Sequence, residues 1–168
     1  MKLYDVAKII RQPVMGYNFE VRLPADMPNS YEVSGLVVSA SLPGLNIETE
    51  DQLHLTPVIP ASMAVGIQAG SQFSLTFVEN EYLMVTKYFS AWLRMIINEN
   101  GELAPPAEYW RDIVILLLDS TGDSISTYRY TYTFPINFYT FELDYGQNNY
   151  LGVQVNFKYS SVEFGSSR

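Results

Sequence analysis

A chain of 168 residues with 48% hydrophobic side chains holds enough apolar material for one packed core and does not read as a disordered segment. Its net charge of −8 argues against a surface that grips a phosphate backbone, because such contacts need Lys and Arg. The absence of cysteine excludes disulfides and thiolate metal sites.

Residues 1–16 read as an N-terminal arm, in which Val6, Ile9 and Ile10 fit one face of a short turn ended by Pro13 and Gly16. They lack the apolar stretch and cleavage site of a signal peptide. Tyr17–Leu23 alternates apolar and polar residues and predicts a first strand. The two prolines of Pro24–Ser30 predict a loop. Glu32–Ser41, rich in Val and Ser, predicts a second strand that stops at Leu42-Pro43-Gly44. Residues 45–71 are expected to form a long loop with short extended pieces, since Pro57 and Pro60 confine any strand there to an edge. Gln72–Val78 alternates Phe73, Leu75 and Phe77 with Ser74 and Thr76, a further strand.

The period then turns helical. Val85, Tyr88, Phe89, Trp92, Leu93 and Ile96 fall on one stripe, which predicts a helix over about 81–97, with Asn80 as its N-cap and Gly101 as its C-terminal cap. A loop with Pro105-Pro106 leads to Tyr109–Leu118, whose end, Ile113–Leu118, is a continuous apolar run expected to be buried on both sides. That run is the longest in the chain and far too short to span a bilayer, so no membrane insertion is expected. Asp119–Asp123 reads as a tight turn. Tyr128, Tyr130, Tyr132 and Phe134 then alternate with Arg129, Thr131 and Thr133 up to a break at Pro135. Phe141–Tyr145 and Leu151–Tyr159 are expected to form an antiparallel hairpin around the turn Gly146–Asn149.

Several features in this order resemble a known family. A strand ends in Ala40-Ser41-Leu42-Pro43-Gly44. After a long polar segment, Phe73-Ser74-Leu75-Thr76-Phe77 feeds into the aromatic helix with Trp92. Thr133-Phe134-Pro135 precedes Phe141-Glu142-Leu143-Asp144-Tyr145, and the last strand carries Val153, Val155, Phe157 and Tyr159 in alternation. This pattern, from about Tyr17 to Phe164, is similar to the tail tube proteins of contractile-tailed bacteriophages. Related tube proteins occur in phage-tail-like particles and type VI secretion systems. The resemblance implies one mainly β domain over 1–168, a β-sandwich or barrel-like fold with one flanking helix. It implies a homo-oligomer of hexameric rings stacked into a tube, with sheath and baseplate proteins outside and viral DNA passing through the lumen without specific binding. It also implies a place in the virion tail, assembled in the host cytoplasm, with no cofactor. Variants of that reading are a tube-initiating baseplate protein and a type VI secretion-like tube protein. A reading of a different class is a monomeric β-barrel that binds a carbohydrate or lipid.

The candidate inner-wall and assembly residues are Arg129, Thr131, Thr133, Glu142, Asp144, Gln154, Asn156 and Lys158, all at polar positions of the alternating runs. The candidate core is Phe73, Phe77, Tyr88, Phe89, Trp92 and Ile96. An enzymatic reading is weak. His54 is the only histidine and reads as a loop residue, which argues against a catalytic triad and a His-rich metal site within one chain. The acidic run Glu48-Thr49-Glu50-Asp51 lacks the spaced ligands and glycine of a calcium loop and reads as a solvated loop. Glu142 and Asp144 read better as lumen acids than as a glycosidase pair. The Tyr128, Tyr130 and Tyr132 series has only Arg129 beside it, too little basic charge for a nucleic-acid stacking platform.

Overall fold

The computed structural model describes residues 16–43, 47–52, 61–67, 72–138 and 150–166. The described strands are β1 (Phe19–Arg22), β2 (Val37–Ser41), β3 (Ile47–Gln52), β4 (Ala61–Ile67), β5 (Gln72–Val78), β6 (Arg111–Leu118), β7 (Ser124–Phe138), β8 (Gly152–Lys158) and β9 (Ser161–Ser166). The described helices are α1 (Ser30–Ser34), α2 (Met84–Ile96) and α3 (Pro106–Tyr109). Seven strands form one antiparallel sheet in the order β1-β6-β7-β8-β5-β2, with β9 also on β7. β3 and β4 pair separately as an antiparallel hairpin.

β7 belongs to two halves of this sheet. Its first part, Ser126–Thr131, pairs with β9, and Ser124–Thr133 pairs with β6. Its last part, Phe134–Phe138, pairs with β8. Between them Tyr132 has φ 52°, a left-handed conformation that a residue with a β-carbon adopts at a cost. The strand therefore turns at Tyr132 and runs on through Pro135, which pairs with Phe157, so the expected break at Pro135 is not found. We call the two parts the β6 half (β1, β6, β9 and the start of β7) and the β8 half (the end of β7, β8, β5 and β2).

The inner faces of both halves meet the stripe of α2 in one core cluster. Val21, Ile113, Ile115 and Tyr130 come from the β6 half. Phe73, Leu75, Phe77, Val153, Val155 and Phe157 come from the β8 half, and Val85, Tyr88, Phe89 and Trp92 from the helix. Ile96, at the end of the stripe, is only half-buried. The rings pack on one another: Phe73 stacks on Tyr130 at 4.5 Å and on Phe157 at 5.0 Å, and Phe89 meets Phe77 edge-on at 5.2 Å. Trp92 Nε1 donates to the Tyr109 carbonyl at 2.9 Å, tying α2 to α3. Burial, with Asp26 nearby as a second cause, pushes the Tyr88 hydroxyl above its ordinary pKa.

Several boundaries differ from expectation. The front of the expected strand Glu32–Ser41 is the single turn α1, which buries Val33 and in which the Ser34 hydroxyl donates to the Ser30 carbonyl. One buried residue per turn is as compatible with a short helix as with a strand, and the pattern there is too brief to decide. α2 starts at Met84, three residues later than expected, after Leu83 with φ 53°. Asn80 Oδ1 does accept from the Tyr82 and Met84 amides. Deeper in the turn, the Glu79 carboxylate accepts from the Val85 and Thr86 amides and from the Thr86 hydroxyl. Gly101, expected as the cap, sits with φ 81° in a later turn closed by the Ile97–Leu103 bridge. The helix ends instead at Ile96, with Ile97 extended. Pro106 and Ala107, expected in a loop, and Tyr109, expected to open the next strand, lie in the helical turn α3. The acidic run Glu48–Asp51, read as a loop, lies in β3. In β6, Ile113, Ile115 and Leu116 are buried but Val114, Leu117 and Leu118 only partly so. Phe141–Tyr145 and the Gly146–Asn149 turn lie outside the described residues.

The Glu79 carboxylate joins negative charge to unsatisfied amides at a helix start. Glu79→Gln keeps one acceptor and turns an amide group toward donors. It is expected to lower stability by about 1–3 kcal/mol, read from urea unfolding, and an unchanged midpoint would mean that Asn80 alone suffices as the cap.

Candidate assembly surfaces

Residues directly opposite each other on an antiparallel ladder share a face. On the outside of the β8 half the ladder aligns Ser41, Ser74, Asn156 and Asn137 in one row across all four strands. Ser39, Thr76 and Gln154 make the next row, and Gln72 and Lys158 stand opposite each other at one end. Apart from Phe134, which stands opposite Lys158, these rows carry hydroxyls, amides and one ammonium, and no carboxylate.

The outside of the β6 half is chemically different. Arg22, Val114, Arg129 and Glu163 form one row there. Arg22 pairs with Glu20 at 2.7 Å and Arg129 with Asp112 at 2.8 Å, both at exposed positions. Exposed ion pairs of this kind contribute little to stability. Their effect is to leave the outside of the β6 half charged in both signs, while that of the β8 half is almost neutral.

The structure divides the candidate inner-wall residues between these surfaces. Gln154, Asn156 and Lys158 stand together on the neutral face. Arg129 and Thr131 lie on the β6 half, the first paired with Asp112 and the second with its hydroxyl 3.4 Å from the Ser161 carbonyl. Thr133 faces no surface: it is buried, and its hydroxyl donates to the Tyr130 carbonyl at 3.1 Å. Glu142 and Asp144 lie outside the described residues. Gln154, Asn156 and Lys158 belong to β8 and Arg129 and Thr131 to the start of β7, and the turn at Tyr132 breaks the alternation that grouped Thr133 with the latter two. Ser39, Ser41, Ser74 and Thr76 were not among the candidates. The strict alternation of Gln72–Val78 was the signal that placed two of them on a polar face.

Both ends of the β8 half are open among the described residues: β2 pairs only with β5, and the end of β7 only with β8. Each open edge also carries a bulge. The register shifts between Val37 and Ser39, leaving Val38 without an opposite residue and 55% exposed. It shifts again between Pro135 and Asn137, leaving Ile136 39% exposed. Near the turn of β7, Trp110 packs edge-on to the exposed Tyr132 at 5.2 Å, and Tyr109 packs edge-on to Phe134 at 5.4 Å.

Among the described residues no group of His, Asp and Glu could hold a metal ion, and no helix is long and apolar enough to cross a membrane.

Comparison with solved structures finds the same fold in phage-like contractile particles. The chain is similar to a chain in the cryo-EM structure of the anti-feeding prophage cap, the AFP tube terminating cap, at 17% identity and TM-score 0.69 over 92% of both chains. It is also similar to a chain in the sheath-tube complex of PVC, an extracellular contractile injection system, in the extended state, at 15% identity and TM-score 0.68 over 99% of both. A chain of the PVC sheath/tube terminator matches at 14% identity and TM-score 0.70, over 92% of this chain and 97% of that one. No curated protein matches the chain. The family model for phage tail tube protein matches residues 7–164. With nearly its whole length accounted for in this way, the chain belongs to the phage tail tube protein family, a family of structural proteins and not of enzymes.

Proposed function

We propose that this chain is the tube subunit of a contractile phage tail, in which copies join side by side through the β8 half into rings of six. The rings stack into a tube, with sheath and baseplate proteins outside and DNA passing through the lumen at ejection. The observation that carries this reading is the β8 half itself, a four-stranded wall with both edges open and one neutral polar face. An open edge invites another strand, and closure into a ring satisfies its free N–H and C=O groups. We assign the neutral face to the lumen. Hydroxyls and amides with a single Lys158 per subunit give DNA phosphates few cations to hold, so DNA slides instead of adhering. The charged outside of the β6 half then faces the sheath. A role at the end of the tube, as initiator or terminator, is the second reading, favoured by the fold match to a tube terminating cap.

Negative-stain microscopy of the purified protein tests the assembly, with rings or tubes expected and a lone monomer counting against it. A thiol probe tests the lumen, since the chain has no cysteine of its own. In tubes, Asn156→Cys is expected to react with a small maleimide and to be shielded from a bulky polymer maleimide, while Glu163→Cys reacts with both. Equal reaction of Asn156→Cys with the bulky reagent would place the neutral face outside.

A further inference from the structure

We propose that the two bulges are the lateral lock between copies of this chain, with Val38 of one subunit packing against Ile136 of the next. This rests on the ring reading above and adds to it which edges meet, in which direction, and through which side chains.

The direction follows from the strand order. Passing from the end of β7 to β8, β5 and β2 takes three antiparallel steps, so β2 runs opposite to β7. In a ring with rotational symmetry every subunit has the same orientation to the axis. The β2 edge of one copy therefore meets the β7 edge of the next as an antiparallel pair, and the ladder continues without a reversal.

The β2 edge is not built to repel a partner. β2 reads Val-Val-Ser-Ala-Ser, with none of the charges or prolines that blunt an edge against pairing. Pro135 in β7 forfeits one donor of its ladder. Each edge instead presents a β-branched apolar side chain at its bulge, where the extra residue is released from its own ladder. A single exposed valine or isoleucine needs no explanation. The same device on both open edges of one half, and on edges that symmetry brings together, has a common one.

The bulges are not level. Val38 adjoins Ser39, which is level with Gln154 along the ladder, and Ile136 adjoins Asn137, level with Asn156. Bringing them together offsets neighbouring subunits by two to three residues, roughly 7–10 Å at about 3.3 Å per residue. A sheet closing into a barrel needs a stagger of this kind between its strands.

The test is a crosslink. Val38→Cys and Ile136→Cys together introduce the only thiols in the chain, and residues facing each other on adjacent antiparallel strands lie within disulfide reach. Mild oxidation of the assembled double variant is expected to give a covalent ladder on a non-reducing gel, while neither single variant gives a dimer. Rings without a ladder overturn this contact alone. Efficient dimers from Val38→Cys alone overturn it in favour of a two-fold pairing of β2 edges. Failure of the wild type to form any ring or tube overturns the ring reading, and the contact with it. A second variant guards against misfolding: Ile136→Lys is expected to keep the wild-type circular dichroism spectrum and to lower the yield of rings at least tenfold, and a normal yield overturns the lock.

Discussion

Trp92→Ala is expected to lower the stability of the subunit by about 3–5 kcal/mol, close to half the stability of an ordinary domain. The indole is fully buried and sits among Phe89, Tyr88 and Phe157, with ring centroids 6.1 to 6.3 Å away. Truncation leaves a cavity between α2 and the β8 half. It also removes the bond from Nε1 to the Tyr109 carbonyl, the tie that holds α3 against α2. For a chain of this length the loss corresponds to roughly 6–20 °C in thermal midpoint. Trp92→Phe, which keeps a ring and loses the donor, should fall between the two. A melt of Trp92→Ala that overlays the wild type would take the side chain out of the core.

Val155→Pro is expected to be worse, because it attacks backbone and packing together. Val155 lies in the middle of β8, fully buried, opposite Leu75 on β5 and Phe138 on β7. Proline has no amide to donate, and its ring does not fit an interior strand with ladders on both sides. The expected outcome is an unfolded or aggregated subunit, with loss of at least about 3 kcal/mol, seen by circular dichroism. If Val155→Pro folds and only fails to assemble, β8 would be an edge in the free subunit and the strand order would be wrong.

Much of the architecture was legible because the pattern is local. Gln72–Val78 was readable to the residue, since buried Phe73, Leu75 and Phe77 alternate without exception with the less buried Gln72, Ser74, Thr76 and Val78. The stripe Val85–Trp92 likewise announced α2, but not where it starts. That start is set by Glu79 reaching forward six and seven residues to free amides, a bond that leaves no trace in a hydrophobic period. The Tyr-rich strand misled in a more instructive way. Tyr128, Tyr130 and Tyr132 look equivalent, yet Tyr130 is buried and Tyr132 exposed, because one left-handed residue changes which face follows. For the same reason Arg129 and Thr133, grouped by alternation, end in different environments, the first exposed and paired with Asp112 and the second buried. The open edges were not readable at all. Whether a strand has a second neighbour depends on residues far away in the chain, and Val38 and Ile136 look ordinary in sequence.

The passage of β7 through both halves also has a mechanical consequence. Two sheets held only by side-chain packing form a laminate, and a load across its thickness can slide one layer over the other. Here one backbone is stitched through both layers, paired with β6 and β9 on one side of Tyr132 and with β8 on the other. A thrust applied to one half is thus passed to the other through covalent bonds, and the subunit bears it as a single plate.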